Sequence, residues 1–404
     1  MGVLFNDVVI NKQSGGLGRR TPSQDMISGL LFNGANVTVD GVNLLEDKKL
    51  YRLASIDDAK ALGISESYDV DGESAFYQIS QFFRMNPSGD LLIYKNSAIT
   101  TFTNLVKEAE AMQLSANGDI RQIGVIFKGA DDPQPKTPKY FDQVTNALAA
   151  AKTVTEKAFS DNRPFEMILE GKGFDAAKAP VKLDTFNAEN VSVVVAMDAE
   201  KAGNANYSNS AAVGVLLGAV SSAKVSENIA WIEKFNLTGE GFRSVGFVGG
   251  TKLNTEGDQK TLDEGKYIFA KSHVGISGVY FNDSHTCTDP TSDFTFIESN
   301  RTIHKASRLA RAALLPKVNS PVLVDPESGT LAPSVVKGYE SLCRSALETM
   351  VSNGEASEVD VFVDPLQNIL SSSVLTVKIE IVPTGTARRI VVDLGFKNPF
   401  GING

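Results

Sequence analysis

Hydrophobic and polar positions alternate near both ends of the chain, as they do in β-strands. Residues 3–10 alternate loosely, and a stretch rich in Gly and Ser, QSGGLGRRTPSQ, follows them. Near the other end, IVVDL places Ile390, Val392 and Leu394 on one face and Val391 and Asp393 on the other. An apolar strand at an open sheet edge invites pairing with another chain, so the partners of these two segments need to be identified.

Helix-like and strand-like patterns alternate between the two ends. From Lys49 they predict the strand KLYRLA, a short helix capped by Ser55, the amphipathic helix ESAFYQISQFFRM and the strand LLIYKN. The alternation continues to the helix SNSAAVGVLLGAVSSA and favours α/β layers around a largely parallel sheet. After a glycine-rich stretch near Gly239 come two long helices and the strands VDVFV and VLTVKIEIV. The predicted fold class is mixed α/β with several domains, which 404 residues permit.

The two terminal segments have two interpretations. Only PTGTA separates VLTVKIEIV from RRIVVDL, so the last segment can form a local hairpin. Alternatively, each end completes a sheet in a neighbouring molecule. The hairpin accounts for the last segment alone, whereas strand donation accounts for both. The predicted exchanged residues are Leu4, Asn6, Val8, Ile10, Ile390, Val391, Val392 and Leu394.

Composition and charge exclude several classes of protein. The formal net charge is −9, which makes nucleic acid a poor partner. Two cysteines, Cys287 and Cys343, are too few for a disulfide scaffold and are expected to be free thiols in a reducing compartment. The start lacks the pattern of a signal peptide, and the apolar run at 211–220 is too short to span a bilayer. We therefore expect a soluble protein that is not inserted into a membrane.

Candidate catalytic and metal-binding motifs are incomplete. GGLGRRT and GFVGGTK each lack a glycine that phosphate binding requires, and GISGV is one residue short of a nucleophile elbow. YDVDGE has half of a calcium loop, and its preferred interpretation is a turn in which Asp71 caps the next helix. NDSHTCTD contains His285 and Cys287 without the repeated spacing of a zinc site. We therefore predict no catalytic residue, metal or cofactor.

One helix carries a basic stripe. From Ser299 to Val324 there is no acidic residue, and Arg301, His304, Lys305, Arg308 and Arg311 recur at helical spacing. A solvated outer face is the ordinary explanation. The lack of compensating carboxylates in an acidic chain favours an acidic partner surface instead.

The segments LASIDDAKALGI and ESAFYQISQFFRMNPSGDLLIYKN resemble the start of contractile tail sheath proteins of phages and related injection systems. The positions that carry this resemblance are Ser55, Ala59, Gly63, Phe82, Phe83 and Gly89. GKYIFAKSHVGISGVYFND, DFTFIESNRTIHKASRLARAAL and the closing strands are also similar to that family, although its usual Trp-Gly is replaced by GVYFND.

The resemblance implies a non-enzymatic subunit that polymerises helically around an inner tube, exchanges terminal strands between copies and contracts. It implies an N-terminal arm at 1–20, sheath domains at 21–284 with 100–205 as a candidate outward-facing insertion, a C-terminal core domain at 285–385, and a C-terminal arm at 386–404. Arg301, Lys305, Arg308 and Arg311 would face the tube, with helix 334–352, carrying Lys337 and Arg344, as the competing surface.

The implied partners are other copies of the chain, the inner tube protein, and baseplate and tail terminator proteins. Assembly is expected in the bacterial cytoplasm, within a phage tail or a contractile injection particle. Two alternatives stay open: an α/β enzyme acting on a small acidic or phosphorylated substrate, with the basic helix lining its site, and a non-contractile structural protein that assembles by strand exchange.

Overall fold

The structure is a computed structural model that describes residues 24–129, 139–176, 180–250 and 256–396. Contacts divide the chain into two compact units, residues 1–308 and 309–404, which are described separately below.

From Lys49 onward the helices and strands largely follow the predicted order. The sequence pattern did not predict the strands Ile27–Phe32, Val37–Val39 and Val42–Leu45 or the short helices Ala199–Ala202, Glu256–Glu264 and Ile369–Ser372. The strands are β1 Ile27–Phe32, β2 Val37–Val39, β3 Val42–Leu45, β4 Tyr51–Leu53, β5 Asp90–Lys95, β6 Gln122–Val125, β7 Glu166–Glu170, β8 Val191–Val194, β9 Ala196–Asp198, β10 Val245–Phe247, β11 Tyr267–Ile268, β12 Ala270–His273, β13 Ile276–Phe281, β14 Ala356–Phe362 and β15 Lys378–Pro383. The helices are α1 Ile56–Ala61, α2 Ala75–Met85, α3 Phe102–Ser115, α4 Lys139–Ser160, α5 Ala199–Ala202, α6 Val213–Ser222, α7 Glu256–Glu264, α8 Ile297–Leu314, α9 Pro333–Ser352 and α10 Ile369–Ser372.

A seven-stranded sheet in the order β11-β8-β7-β6-β1-β5-β4 forms the centre of the first unit. Every neighbouring pair is parallel except β4 with β5, which is antiparallel. All residues of β6, β7 and β8 are buried, as expected for strands of a parallel sheet that is covered on both faces. The predicted α/β class with a largely parallel sheet is confirmed.

Two glycines show that helices cover both faces of this sheet. A Cβ atom on Gly29 of β1 would meet Met112 of α3, whereas one on Gly124 of β6 would meet Val213 of α6. Gly29 is paired with the residue before Gly124, and successive residues of a strand point to opposite faces. Helices α3 and α6 therefore lie on opposite sides of the sheet.

The apolar run at 211–220 becomes α6, in which nine residues from Val213 to Ser221 are all buried. This helix packs against α2 so closely that a Cβ on Gly214 would lie 2.0 Å from the carbonyl oxygen of Gln78. Across the described ranges, we find no helix with the length and apolar character that crossing a membrane requires.

Residues 100–205 contribute α3, α4 and three strands of the main sheet, β6 to β8. These strands lie between β1 and β11, so removing the region would leave the sheet in two pieces. The prediction that 100–205 form a separate insertion is therefore wrong.

The second unit begins inside α8, after Arg308, whereas the predicted C-terminal core domain begins at residue 285. It contains α9, α10 and a two-stranded antiparallel sheet of β14 and β15. In β14, Val359 and Val361 are buried and their neighbours are exposed, which is the alternation of a strand with one covered face. Helix α9 packs against β14 with Cys343, Leu347 and Met350 among its buried residues.

Candidate assembly surfaces

The segment after β15 is exposed and has no regular secondary structure over residues 384–396. The exposed fractions are 79% for Ile390, 69% for Val391, 68% for Val392 and 94% for Leu394. In the described chain none of these residues pairs with β15, so the local hairpin between VLTVKIEIV and RRIVVDL is not formed. A run of apolar side chains with strand alternation is thus left open to solvent.

Over the described ranges, the sheet of the second unit has only two strands, so its outer edges are open. Within the described residues β14 and β15 pair only with each other, so each strand has one edge without a strand partner. A two-stranded sheet is marginal in water, and three or more strands are the usual stable form. The unit therefore has an apolar segment without a sheet and a sheet with open edges.

The N-terminal members of the predicted exchange set, Leu4, Asn6, Val8 and Ile10, lie outside the described residues. Their part in strand exchange stays a prediction.

The first residue of the basic stripe on α8, Arg301, is buried in the first unit. Arg301 is only 4% exposed. Its guanidinium donates to the carbonyl oxygens of Ala223 and Lys224, each at 3.2 Å, and to that of Asp25 at 3.4 Å. The first two carbonyls directly follow α6, where a helix leaves unsatisfied C=O groups and a partial negative charge. The end of α6 thus accepts a buried cation.

Asp25 supplies a negative charge to the basic stripe, whose own segment from Ser299 to Val324 has no acidic residue. Its two oxygens accept from Lys305 Nζ at 2.7 Å and from Arg308 Nη2 at 2.6 Å. Burial would raise the pKa of Asp25, but the hydrogen bond and charge of Lys305, with the charges of Arg308 and Arg301, outweigh burial and lower it. The cations of the stripe are compensated within the same unit.

Arg301 is buried and does not form part of an exposed basic surface. Lys305 and Arg308 are partly exposed and paired with Asp25, and their predicted contact with a tube stays a prediction. Arg311 is exposed, and its contact with a tube stays a prediction. On α9, Lys337 pairs with Glu340 at 2.7 Å and Arg344 with Asp360 at 2.6 Å. Because these pairs are on the surface, they cost little to exchange for a partner's carboxylates.

A buried acid and a buried histidine lie beside this cluster. His304 Nδ1 is 3.4 Å from Glu166 Oε1, and neither oxygen of Glu166 has a hydrogen-bond partner. Burial raises the pKa of Glu166 well above its ordinary value, against the lowering effect of Arg301. Burial, with the charges of Arg308, Arg301 and Arg121, lowers the pKa of His304 to about 3. Both shifts favour the uncharged forms of the two side chains, and we assign the pair as uncharged.

This assignment predicts how stability depends on pH. Because the folded-state pKa of Glu166 is raised, its contribution to the free energy of unfolding is lost as the pH rises above its ordinary pKa of 4.5. His304 has a lowered pKa, so its contribution is lost as the pH falls below 6.5. Between pH 4.5 and 6.5, a rise in pH removes the stability that Glu166 contributes and restores the stability that His304 contributes. Above pH 6.5 only the loss from Glu166 continues.

We expect Glu166→Gln, which imitates the neutral acid, to raise the melting temperature at pH 8.5 and to leave it nearly unchanged at pH 5. Glu156→Gln, on the exposed face of α4, is the control. An equal effect of Glu166→Gln at both pH values in thermal unfolding would contradict the neutral assignment.

The candidate metal motif NDSHTCTD has a structural role, whereas the glycine-rich motif GGLGRRT lies outside the described residues. His285 Nε2 lies 3.0 Å from Asp263 Oδ1, Cys287 is wholly buried, and no cluster of metal-ligating side chains occurs in the part of the chain that the structure describes. Burial raises the pKa of Asp263, but the interactions with His285, Asn282 and Lys271 together outweigh burial and lower it to about 2. Both cysteines are free thiols, as predicted.

The turn in YDVDGE caps α2 through Asp69, not through Asp71 as predicted. The carboxylate of Asp69 accepts from the backbone N–H groups of Phe76 at 2.8 Å and Tyr77 at 2.9 Å. Asp71 occupies the left-handed region of the turn at φ 53°. The local pattern identified the turn but not which carboxylate folds back onto the helix.

Sequence reasoning missed Asp25, Glu166 and the open sheet edges. Asp25 and Glu166 are isolated carboxylates far from α8 in the chain, and no spacing rule links them to it. The open edges depend on which strands pair, which a period of two does not specify.

The fold resembles those of solved contractile sheath proteins. A chain from the contracted helical sheath of the anti-feeding prophage aligns with a TM-score of 0.64 at 13% identity, over 97% of this chain and 99% of that chain. A chain from the baseplate of the same particle aligns with a TM-score of 0.63 at 13% identity, over 98% and 100%. A chain from the contracted sheath complex of PVC, an extracellular contractile injection system, gives 0.58 at 12% identity, over 98% and 99%. No curated protein matches the sequence significantly.

Two family models together match almost the whole sequence. The model described as the DUF2586 N-terminal domain matches residues 5–285, and the DUF2586 C-terminal domain matches residues 293–401. The gap between them adjoins the boundary predicted at residues 284 and 285. The chain therefore belongs to the DUF2586 family and has the fold of a contractile tail sheath protein.

Proposed function

We propose that this protein is the structural subunit of a contractile sheath. Copies polymerise helically around an inner tube, and the terminal segments of each copy add strands to the second unit of its neighbours. The observation that carries the proposal is the combination, in one unit, of an unpaired apolar segment and an open two-stranded sheet. The likeness in fold to sheath proteins supports it along the full length.

Strand addition explains why an unpaired apolar segment and a sheet with open edges occur in the same unit. An added strand gains backbone hydrogen bonds along a free edge, and alternate side chains such as Ile390, Val392 and Leu394 cover one face of the completed sheet. Each copy then provides a strand and also accepts one, which extends the contact to a continuous polymer because the interface is head-to-tail.

Contraction requires subunits to rotate and slide without separating. Segment 384–389, which includes Gly385, allows that movement because it carries no regular structure. A sheath that packs less favourably when extended releases free energy on contraction, while the exchanged strands keep neighbours linked. The inner tube, baseplate and terminator proteins are the partners that this role requires, with assembly in the bacterial cytoplasm.

The structure gives little support to an enzyme whose site is lined by the basic helix. The cavity beside α8 has a volume of only about 10 Å³, which is room for one water-sized group and not for an organic substrate. The likeness in fold to sheath proteins supports a non-enzymatic role.

Electron microscopy of the purified full-length chain, alone and with its tube protein, tests the proposal. We expect hollow cylinders with helical order, longer when the tube is present. Discrete small oligomers at all concentrations, with no cylinders in either sample, would contradict a sheath subunit.

A further inference from the structure

The two open edges of the β14–β15 sheet differ in how their backbone groups are engaged. In an antiparallel pair, alternate residues direct their N–H and C=O groups away from the partner strand. On β14 and the residue that follows it, these are Val359, Val361 and Val363, because side chains and not β15 bond their backbone groups. The residues opposite the first two, Ile381 and Ile379, therefore form the outer edge of β15.

Arg344 crosses the outer edge of β14. Its helix, α9, packs on the face of the sheet to which the buried Val359 belongs, whereas Asp360 is exposed on the opposite face. Arg344 Nη1 donates to the C=O group of Val359 at 3.3 Å, and Nη2 donates to Asp360 Oδ1 at 2.6 Å. The side chain therefore passes from one face of the sheet to the other, across the place where an added strand would lie.

Two carboxylates engage further groups on the same edge. Asp360 Oδ1 accepts from the N–H group of Val361 at 2.9 Å, and Glu340 Oε1 accepts from that of Val363 at 3.2 Å. A strand that added to β14 would first have to break these bonds and the bond from Arg344. Each of them already satisfies a backbone group that the strand would need.

The outer edge of β15 has no such cover. Among the described residues, the outward backbone groups of Ile379 and Ile381 have no hydrogen-bond partner. A strand that adds here displaces only water. Pro383 has no N–H group and ends the usable edge, which leaves residues 378–382. This length suits a segment of about six residues.

The side chains of residues 389–394 match this edge. On β15, Ile379 and Ile381 lie on the partly buried face, and the Lys378–Glu380 ion pair lies on the exposed face. The segment alternates in the same way, with Ile390, Val392 and Leu394 on one face and Arg389, Val391 and Asp393 on the other. An added strand continues the apolar row on one face and brings one cation and one anion beside the ion pair on the other.

We propose that residues 389–394 of a second copy dock on the outer edge of β15, and that Arg344, Asp360 and Glu340 obstruct the outer edge of β14. This assignment rests on the proposed function, in which copies exchange strands, and adds which edge receives the strand. At β15 the added strand gains backbone hydrogen bonds in place of water, whereas at β14 it first loses three existing bonds.

Photo-cross-linking in the full chain tests the assignment. Benzoylphenylalanine replaces Val391, and the chain is assembled with an equal amount of ¹⁵N-labelled chain that lacks the probe. Mass spectrometry then locates the linked residues. We expect at least about tenfold more links to labelled residues 377–383 than to labelled residues 356–363, because three hydrogen bonds separate the two edges.

The other outcomes separate this assignment from strand donation. Equal links to both ranges, more links to 356–363, or links to neither range would overturn the choice of edge. Links to labelled 356–363 would still show donation between copies. Links to 377–383 confined to the probe-carrying chain would contradict donation itself, and the choice of edge with it.

A variant pair tests the obstruction of β14. Arg344→Met should raise the links to labelled residues 356–363 at least about threefold. Lys49→Met removes an exposed ion pair of the first unit, at 2.9 Å from Glu46, and should leave them unchanged. No rise with Arg344→Met would show that this side chain does not obstruct the edge.

Hydrogen exchange of the native chain decides if the probe variant does not assemble. Slower exchange on assembly at residues 378–382, without slowing at residues 358–362, supports the assignment. Any other pattern in assembled cylinders would overturn it.

Discussion

A chain that lacks residues 385–404 is expected to fold normally and to lose all ability to form sheath cylinders. The described part of this segment buries almost nothing in its own subunit, because Ile390, Val391, Val392 and Leu394 are each more than two-thirds exposed. Its removal therefore costs little unfolding free energy. In a polymer held by strand addition, the same removal deletes every backbone hydrogen bond that the segment provides to a neighbour.

Circular dichroism, thermal unfolding and electron microscopy check this result together. We expect a native spectrum, a melting temperature within about 2 °C of that of the unassembled full chain, and no cylinders. Cylinders formed by the truncated chain would show that the segment is not the link between copies.

A matched pair of proline variants separates strand pairing from simple loss of length. Val392→Pro removes a backbone donor in the middle of the predicted donated strand and should abolish assembly. Thr384→Pro places the same residue in the connecting segment, outside the strand, and should assemble. Equal assembly by both variants would argue against donation of residues 389–394.

Gly214→Ala is expected to destabilise the protein more than a methyl group added at any other glycine that the structure describes. The new Cβ would lie 2.0 Å from the carbonyl oxygen of Gln78 and 2.6 Å from its carbonyl carbon. Real Cβ atoms do not approach backbone this closely, so α2 and α6 must separate. Both helices are buried there, and Gly214 N–H also donates to Gln78 Oε1 at 2.7 Å.

We expect this variant to lose about 3–5 kcal/mol of unfolding free energy, at the upper end for overpacked cores, or to fail to fold. Gly338→Ala is the control, since a Cβ there meets nothing within 4 Å and lies in the interior of α9. It should stabilise its helix by about 0.5–1 kcal/mol. Chemical denaturation measures both, and a loss below about 1 kcal/mol for Gly214→Ala would show that the two helices are less tightly packed.

The layers of the first unit could be predicted because the spacing of apolar residues shows which face of each helix and strand is buried. The apolar strands LLIYKN and FEMILEG lie in a parallel sheet that is covered on both faces, and SNSAAVGVLLGAVSSA contains the buried helix between that sheet and α2. Ser55 caps α1 as its position predicts. These features depend on neighbours close in sequence.

The orientation of the basic stripe could not be predicted in the same way. The spacing of Arg301, Lys305 and Arg308 is correct for one helix face, but spacing does not say what that face meets. The compensating groups are Asp25 and the backbone carbonyls that follow α6, which are distant in sequence. A cation can be buried where a helix end supplies acceptors, and composition does not record this.

For the C-terminal segment, the sequence predicts a strand that the single subunit does not form. The alternation in IVVDL predicts a strand, whereas the described chain has no strand there, because an isolated segment has no partner for its backbone groups. Its sequence fits a strand, and the single subunit lacks the sheet that would accept it.

Cryo-electron microscopy of the assembled polymer tests strand exchange most directly, at the free edges of β14 and β15. We predict density there for residues 389–394 of a different copy, continuous with that copy's own β15 through segment 384–388. Edges without an added strand, or an edge occupied by the same copy's residues 389–394 folded back as a hairpin, would contradict the account.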